Sequence, residues 1–196
     1  MSLVLVTAME NFIIFMSDGR VTRNKTIFEV EILQENFKKL FRVNSNICIA
    51  FAGSKEPCEE TLKVLDDYNL NSITLDETFE IILKKSKEVY SRYINQGIPI
   101  KIFMAIGGKQ QGEIKFRTFS SPENFKILEF SPKKDDLSYA FLSPESIDNS
   151  YFINQIQKNA PCTLNNLRRA MGLCINDVSA FCKSVNALKF EEIIEK

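Results

Sequence analysis

No histidine occurs anywhere in this 196-residue chain, and that absence removes much of enzyme chemistry. Ser-His-Asp and Cys-His-Asn mechanisms and His-ligated zinc are excluded, so a general base has to be a carboxylate, a lysine or an α-amine. An excess of one charge is missing too. Lys plus Arg and Asp plus Glu stand at 25 each, which argues against a strongly basic nucleic-acid binder. Short basic stretches such as Lys133-Lys134 are followed at once by Asp135-Asp136 and read as solvated loop charges. No run approaches the ~18 apolar residues that span a bilayer. The apolar start carries no Lys or Arg ahead of it, unlike a signal peptide. There is no Cys-x-x-Cys pair, and nothing calls for a metal or cofactor. The five cysteines (Cys48, Cys58, Cys162, Cys174, Cys182) are an odd count set mostly in apolar or helical patterns. They read as buried free thiols in a reducing compartment, and the cytoplasm is the expected location. No repeat, low-complexity segment or linker interrupts the chain. One domain over residues 1–196 is expected, long enough to bury a substantial core.

What is present is a regular alternation of element types. Residues 3–6 and 12–16 are continuous apolar runs, expected as strands covered on both faces. Asp18-Gly19 marks a turn, and residues 40–43 and 47–52 read as a hairpin around Asn44-Ser45-Asn46. A helix is expected from Ser54, with Cys58, Leu62, Leu65 and Tyr68 on its inner stripe. Thr74-Leu75-Asp76-Glu77 is a capping-box pattern that opens a second helix carrying Phe79, Ile82, Leu83, Val89, Tyr90 and Tyr93. Strands are expected over 99–106, 113–119 and 125–130. Helices are expected over 144–159 and 163–183, the latter with Leu167, Met171, Cys174, Val178 and Phe181 inward. A last strand is expected over 187–194. This order packs economically as two stacked sheets between two helical layers, a four-layer αββα sandwich of the α+β class.

Four pieces carry chemistry. Ser2 follows the initiator methionine and opens the first strand. Asp18 stands in Ser17-Asp18-Gly19-Arg20-Val21-Thr22, Lys39 in Lys38-Lys39-Leu40-Phe41, and Gly53 in Phe51-Ala52-Gly53. In this order and spacing they resemble the amino-terminal half of proteasome β-type subunits and related bacterial peptidases. Those are Ntn hydrolases, whose nucleophile is their own first residue. The resemblance covers residues 2–65 and persists beyond them as element order. The absence of a helical extension ahead of Ser2 favours the β-type over the α-type subunit.

The resemblance implies that Ser2, once Met1 is removed, is the nucleophile and that its α-amine is the base; such an amine has a reference pKa of about 7.7–8.0. It implies that Lys39 lies beside the nucleophile, where a cation depresses the pKa of hydroxyl and amine. Asp18 would hold the lysine, and the Gly53 amide would meet the oxyanion at a helix start. Alternation along the strand lets only one of Lys38 and Lys39 enter the site, and the register selects Lys39. Arg20 reads as a structural partner of nearby carboxylates or carbonyls. Each residue has a plainer alternative: a small residue after the start codon or a cloning leader for Ser2, an ordinary turn residue for Asp18, an exposed strand-start lysine for Lys39, a routine strand-to-helix turn for Gly53.

The second half departs from the pattern. Ser143 aligns with the glycine-flanked serine that the family carries after a strand, which makes it a fifth candidate catalytic residue, but Pro144 beside it removes a backbone donor. Ser184 aligns with a supporting serine, yet its expected aspartate falls at Phe181, with Asp177 one turn earlier. The implied substrate is a peptide or amide, the implied assembly a ring-like homo-oligomer, and a possible partner an ATP-dependent unfoldase. Two alternatives stay open: a catalytically inactive proteasome-like subunit that serves assembly or binding, and a small-molecule amidase.

Overall fold

The computed structural model describes residues 3–24, 30–143 and 147–196; Met1, Ser2 and Pro144 lie outside them. Strands β1 (Val4–Met9) and β2 (Phe12–Asp18) form the apolar opening hairpin, paired from Val4↔Ser17 to Met9↔Phe12. β3 (Val21–Asn24) and β4 (Val30–Gln34) make a separate two-stranded unit. β5 (Leu40–Asn44) and β6 (Ile47–Gly53) follow, then α1 (Lys55–Leu62), a 3₁₀ turn (Lys63–Asp67) and α2 (Leu75–Asn95). After these come β7 (Ile102–Gln110), β8 (Glu113–Ser120), β9 (Leu128–Phe130), β10 (Ser138–Leu142), α3 (Ser150–Lys158), α4 (Leu164–Phe181) and β11 (Lys189–Glu195).

The strands gather into a four-stranded sheet, β10-β1-β2-β11, and a five-stranded sheet, β5-β6-β7-β8-β9. Side-chain alternation turns these into layers. Val4, Val6, Ala8, Ile13 and Phe15 meet Cys48, Ala50, Ala52, Ala105 and Phe116 between the sheets. The opposite faces of β1 and β2, with Leu3, Leu5, Ile14 and Met16, pack on Leu167, Met171, Cys174 and Val178 of α4. The outer face of the second sheet, with Ile47, Ile49, Phe51, Met104 and Ile106, packs on Cys58 of α1 and on Phe79, Ile82 and Val89 of α2. A strand buried on both faces is apolar along most of its length, which is why β1, β2 and β6 read as long apolar runs. The order of layers is helix, sheet, sheet, helix.

Local chemistry sets the helix ends. The capping box forms at α2: Glu77 N donates to Thr74 Oγ1 at 3.2 Å and Thr74 N to Glu77 Oε2 at 2.9 Å. Ser54 occupies the N-cap position of α1, but its hydroxyl accepts instead from Lys101 N at 3.1 Å. Several expectations are corrected. α1 tightens into a 3₁₀ turn after Leu62, and Tyr68 beyond it is turned outward, 46% exposed. Asn124 and Phe125 both take positive φ (52° and 56°) and form a turn, so β9 begins only at Leu128. The residues ahead of α3 that are described, Ile147 to Asn149, are not helical. Phe181 ends α4 53% exposed, its ring tilted against Tyr151 of α3 rather than buried. Two strands add to those expected: β4 over residues 30–34, and β10 over residues 138–142 at the edge of the four-stranded sheet. Among the described residues no helix is long and apolar enough to cross a membrane.

Candidate active site

Asp18 is the last residue of β2, and the hairpin register sets it opposite the start of β1. Its N–H donates to Leu3 O at 3.1 Å, and Leu3 N–H donates back to its Oδ1 at 2.9 Å. Lys39 immediately precedes β5. Its Nζ donates to Asp18 Oδ1 at 2.6 Å and to Asp18 O at 3.0 Å, and the two side chains are 1% and 0% exposed. Lys38 points the other way and pairs with Glu192 at 2.6 Å, 45% exposed. Burial holds the Lys39 ammonium below the ordinary lysine range; Asp18 opposes that shift, and the charge of Arg20 adds to it.

Gly53 ends β6 with φ 108°, and a Cβ there would lie 2.2 Å from Lys101 O, so no other residue fits without moving the backbone. Phe51 N donates to Lys39 O on the β5 side, whereas Ser54 N donates to Lys101 O on the β7 side. Strand alternation therefore turns the Gly53 N–H toward β5, just past Lys39. A cleft of ≈ 410 Å³ opens there, lined by Lys39, Gly53, Phe37, Phe51, Val21 and Lys55 among others. Phe37 and Phe51 meet edge to face at 6.0 Å, and Lys55 Nζ sits 4.5 Å over the Phe37 ring.

The fold thus brings Asp18, Lys39 and Gly53 to one place. Ser2, the residue bonded to Leu3 N, lies outside the described residues. Ser143 follows Leu142, which pairs with Val4, so it too stands at the β1 start; its hydroxyl donates to Ile147 O at 3.2 Å. Ser184 is nearly buried with its Oγ 3.1 Å from Cys182 Sγ, while Asp177 turns to α3 and accepts from Gln155 Nε2 at 2.5 Å. The carboxylate missing at Phe181 is not replaced by Asp177. Arg20 grips carbonyls and a carboxylate, as its type suggests. Its Nη1 donates to Lys183 O at 2.7 Å and Val185 O at 3.2 Å, and Nε and Nη2 donate to the two Glu35 oxygens at 3.0 Å. Glu35 and Asn186 join the site without a signature in the sequence. Among the described residues no group of three or more His, Cys, Asp or Glu side chains is placed to hold a metal.

No family model and none of the curated proteins matches the sequence. Solved structures match it well. An Anbu complex from Pseudomonas aeruginosa, described as a helical assembly, aligns with TM-score 0.75 at 14% identity over 98% of this chain and 81% of its own. Anbu from Yersinia bercovieri, described as an ancestral β-subunit, aligns with TM-score 0.71 at 15% identity over 97% and 80%. Eukaryotic HslV from Trypanosoma brucei aligns with TM-score 0.61 at 13% identity over 99% of both chains. The chain has the proteasome-type Ntn-hydrolase fold.

Proposed function

We propose that this chain is a proteasome-like N-terminal-nucleophile hydrolase of one domain that cleaves peptide or amide bonds, with Ser2 as nucleophile after removal of Met1. The observation that carries the reading is the buried Lys39–Asp18 pair, whose carboxylate also holds the Leu3 N–H, one peptide bond from Ser2. It stands beside a cleft bordered by Gly53. The Ser2 hydroxyl attacks the scissile carbonyl carbon and passes its proton to the Ser2 α-amine. The negative oxygen that forms is met by the Gly53 N–H. The amine returns the proton to the leaving nitrogen, the C–N bond breaks, and an acyl ester remains on Ser2. Water, deprotonated by the same amine, hydrolyses that ester and restores the hydroxyl. Lys39 stays protonated throughout and stabilises the reactive forms of both groups.

A second reading, a non-catalytic subunit of the same fold, is favoured by one observation: Ser184 is paired with Cys182 where a carboxylate is expected. Turnover of a fluorogenic peptide amide by the parent, lost in Ser2→Ala, supports hydrolysis; no turnover by the correctly processed parent supports the second reading. Assembly into a homo-oligomer is part of the proposal, supported by the assembly described for the Pseudomonas aeruginosa Anbu. The free cysteines, three of them buried, support a reducing, cytoplasmic setting. An ATP-dependent unfoldase remains the proposed partner for folded substrates.

A further inference from the structure

The Asp18 carboxylate is buried, and its donors come from four separate parts of the chain. Leu3 N and Lys39 Nζ reach Oδ1 at 2.9 and 2.6 Å; Arg20 N and Asn186 N reach Oδ2 at 2.9 and 3.4 Å. The segments carrying the last two donors are tied together by Glu35. Its carboxylate takes Arg20 in a two-pronged pair at 3.0 Å and 3.0 Å and Asn186 Nδ2 at 2.7 Å; its main-chain oxygen takes Asn186 Nδ2 at 2.7 Å as well. Asn186 Oδ1 accepts from Gly19 N at 2.8 Å, and Phe37 N donates to Gly19 O at 2.8 Å. A Cβ on Gly19 would lie 2.8 Å from Glu35 O, so the close approach of these backbones is built into the residue choice.

We propose that Arg20, Glu35 and Asn186 form a clamp that positions the Asp18 carboxylate, and through it Lys39, for the reaction; its catalytic consequence rests on the hydrolase reading above. The clamp closes three segments on one another: the β2–β3 turn, the β4–β5 linker that leads into Lys39, and the loop between α4 and β11. Arg20 Nη1 holds the carbonyls on both sides of Ser184, so the same clamp fixes that serine. An exposed ion pair by itself contributes little to stability, but a two-pronged guanidinium–carboxylate pair fixes orientation. Arg20 and Asn186 hold the Glu35 carboxyl below the usual carboxylate range, which keeps the clamp charged at neutral pH. None of the three residues lines the cleft, so they are positioning residues rather than catalytic ones.

The test is hydrogen exchange of the Lys39 ammonium, followed by NMR of the full chain with isotope-labelled lysine at one mildly acidic pH. Glu35→Ala and Asn186→Ala are compared with the parent. Arg20→Lys is a second variant that keeps the charge but loses the fork. Faster exchange in the variants, by about tenfold or more, is expected because the Asp18 partner is no longer held. Exchange unchanged in the folded variants overturns the proposal. With an active parent, kcat falls while KM stays, since no cleft residue is altered; a change confined to KM also overturns it. A parent without turnover would instead refute the hydrolase reading, and the exchange comparison would still decide the clamp.

Discussion

Lys39 and Asp18 face each other with side chains 1% and 0% exposed, so removing either leaves a charge in a place built for two. Lys39→Met is expected to lower the unfolding free energy by about 3–5 kcal/mol, read by urea titration. Asp18→Asn with Lys39→Met is expected to recover part of that loss, because the double change removes both charges. A double variant as unstable as the two single losses summed would contradict a coupled pair. The lysine also links stability to pH. Its folded pKa is lowered by burial, so between that value and the ordinary ~10.4 the unfolded chain binds more protons. The cost of burying the charge is full below the folded pKa and is relieved as pH rises through this window. Asp18→Asn removes the opposing contribution and pushes Lys39 further down, widening the window toward neutrality; a titration of labelled lysine reads this directly. At this scale Asp18, Lys39 and Gly53 are legible as candidate site residues through the family resemblance that their order carries, and the fold brings them to one place. Glu35 and Asn186 were not: they lie 151 positions apart, and only the closed fold makes them partners.

Among the elements, those with a strong local cause were readable. β1, β2 and β6 are apolar on both faces because both faces are covered, and Thr74 with Glu77 announces α2. β4 has no signature in the sequence because its hairpin has no core of its own: Ile32 and Leu33 are 48% and 46% exposed, so no alternation marks it. β10 is an edge strand that buries only Ala140 and Leu142, too weak a pattern to mark a strand of five residues. Phe181 kept the helical period of α4 but fell on its last residue, beyond the sheet that covers the rest. Two substitutions separate site geometry from helix stability. Gly53→Ala forces a positive φ on alanine, which costs about 1–3 kcal/mol before the clash with Lys101 O is counted. It is expected to reduce turnover strongly. Thr74→Ala loses the α2 cap, about 1 kcal/mol, and is expected to leave turnover unchanged, since Thr74 and its partner Glu77 do not line the cleft beside the Asp18–Lys39 pair. Equal effects of both on turnover would mean that Gly53 acts only through stability.

Taken as a whole molecule, the chain stacks two sheets between two helical layers, and the candidate site opens at the sheet ends where β2 and β6 finish and β5 begins. The exposed Tyr151–Phe181 pair on α3 and α4 lies on an outer helical layer. Light scattering at micromolar concentration is expected to give a mass well above 22.5 kDa; a strict monomer across salt and concentration would contradict the assembly. The central claim, that Ser2 is an activated nucleophile, is tested most directly by treating protein made without any added leader with a β-lactone or boronate electrophile and taking its intact mass. The account predicts loss of Met1, one adduct mapped to Ser2, no adduct in Ser2→Ala, and a much weaker one in Lys39→Ala. Met1 retained, with no adduct on the parent, would contradict it.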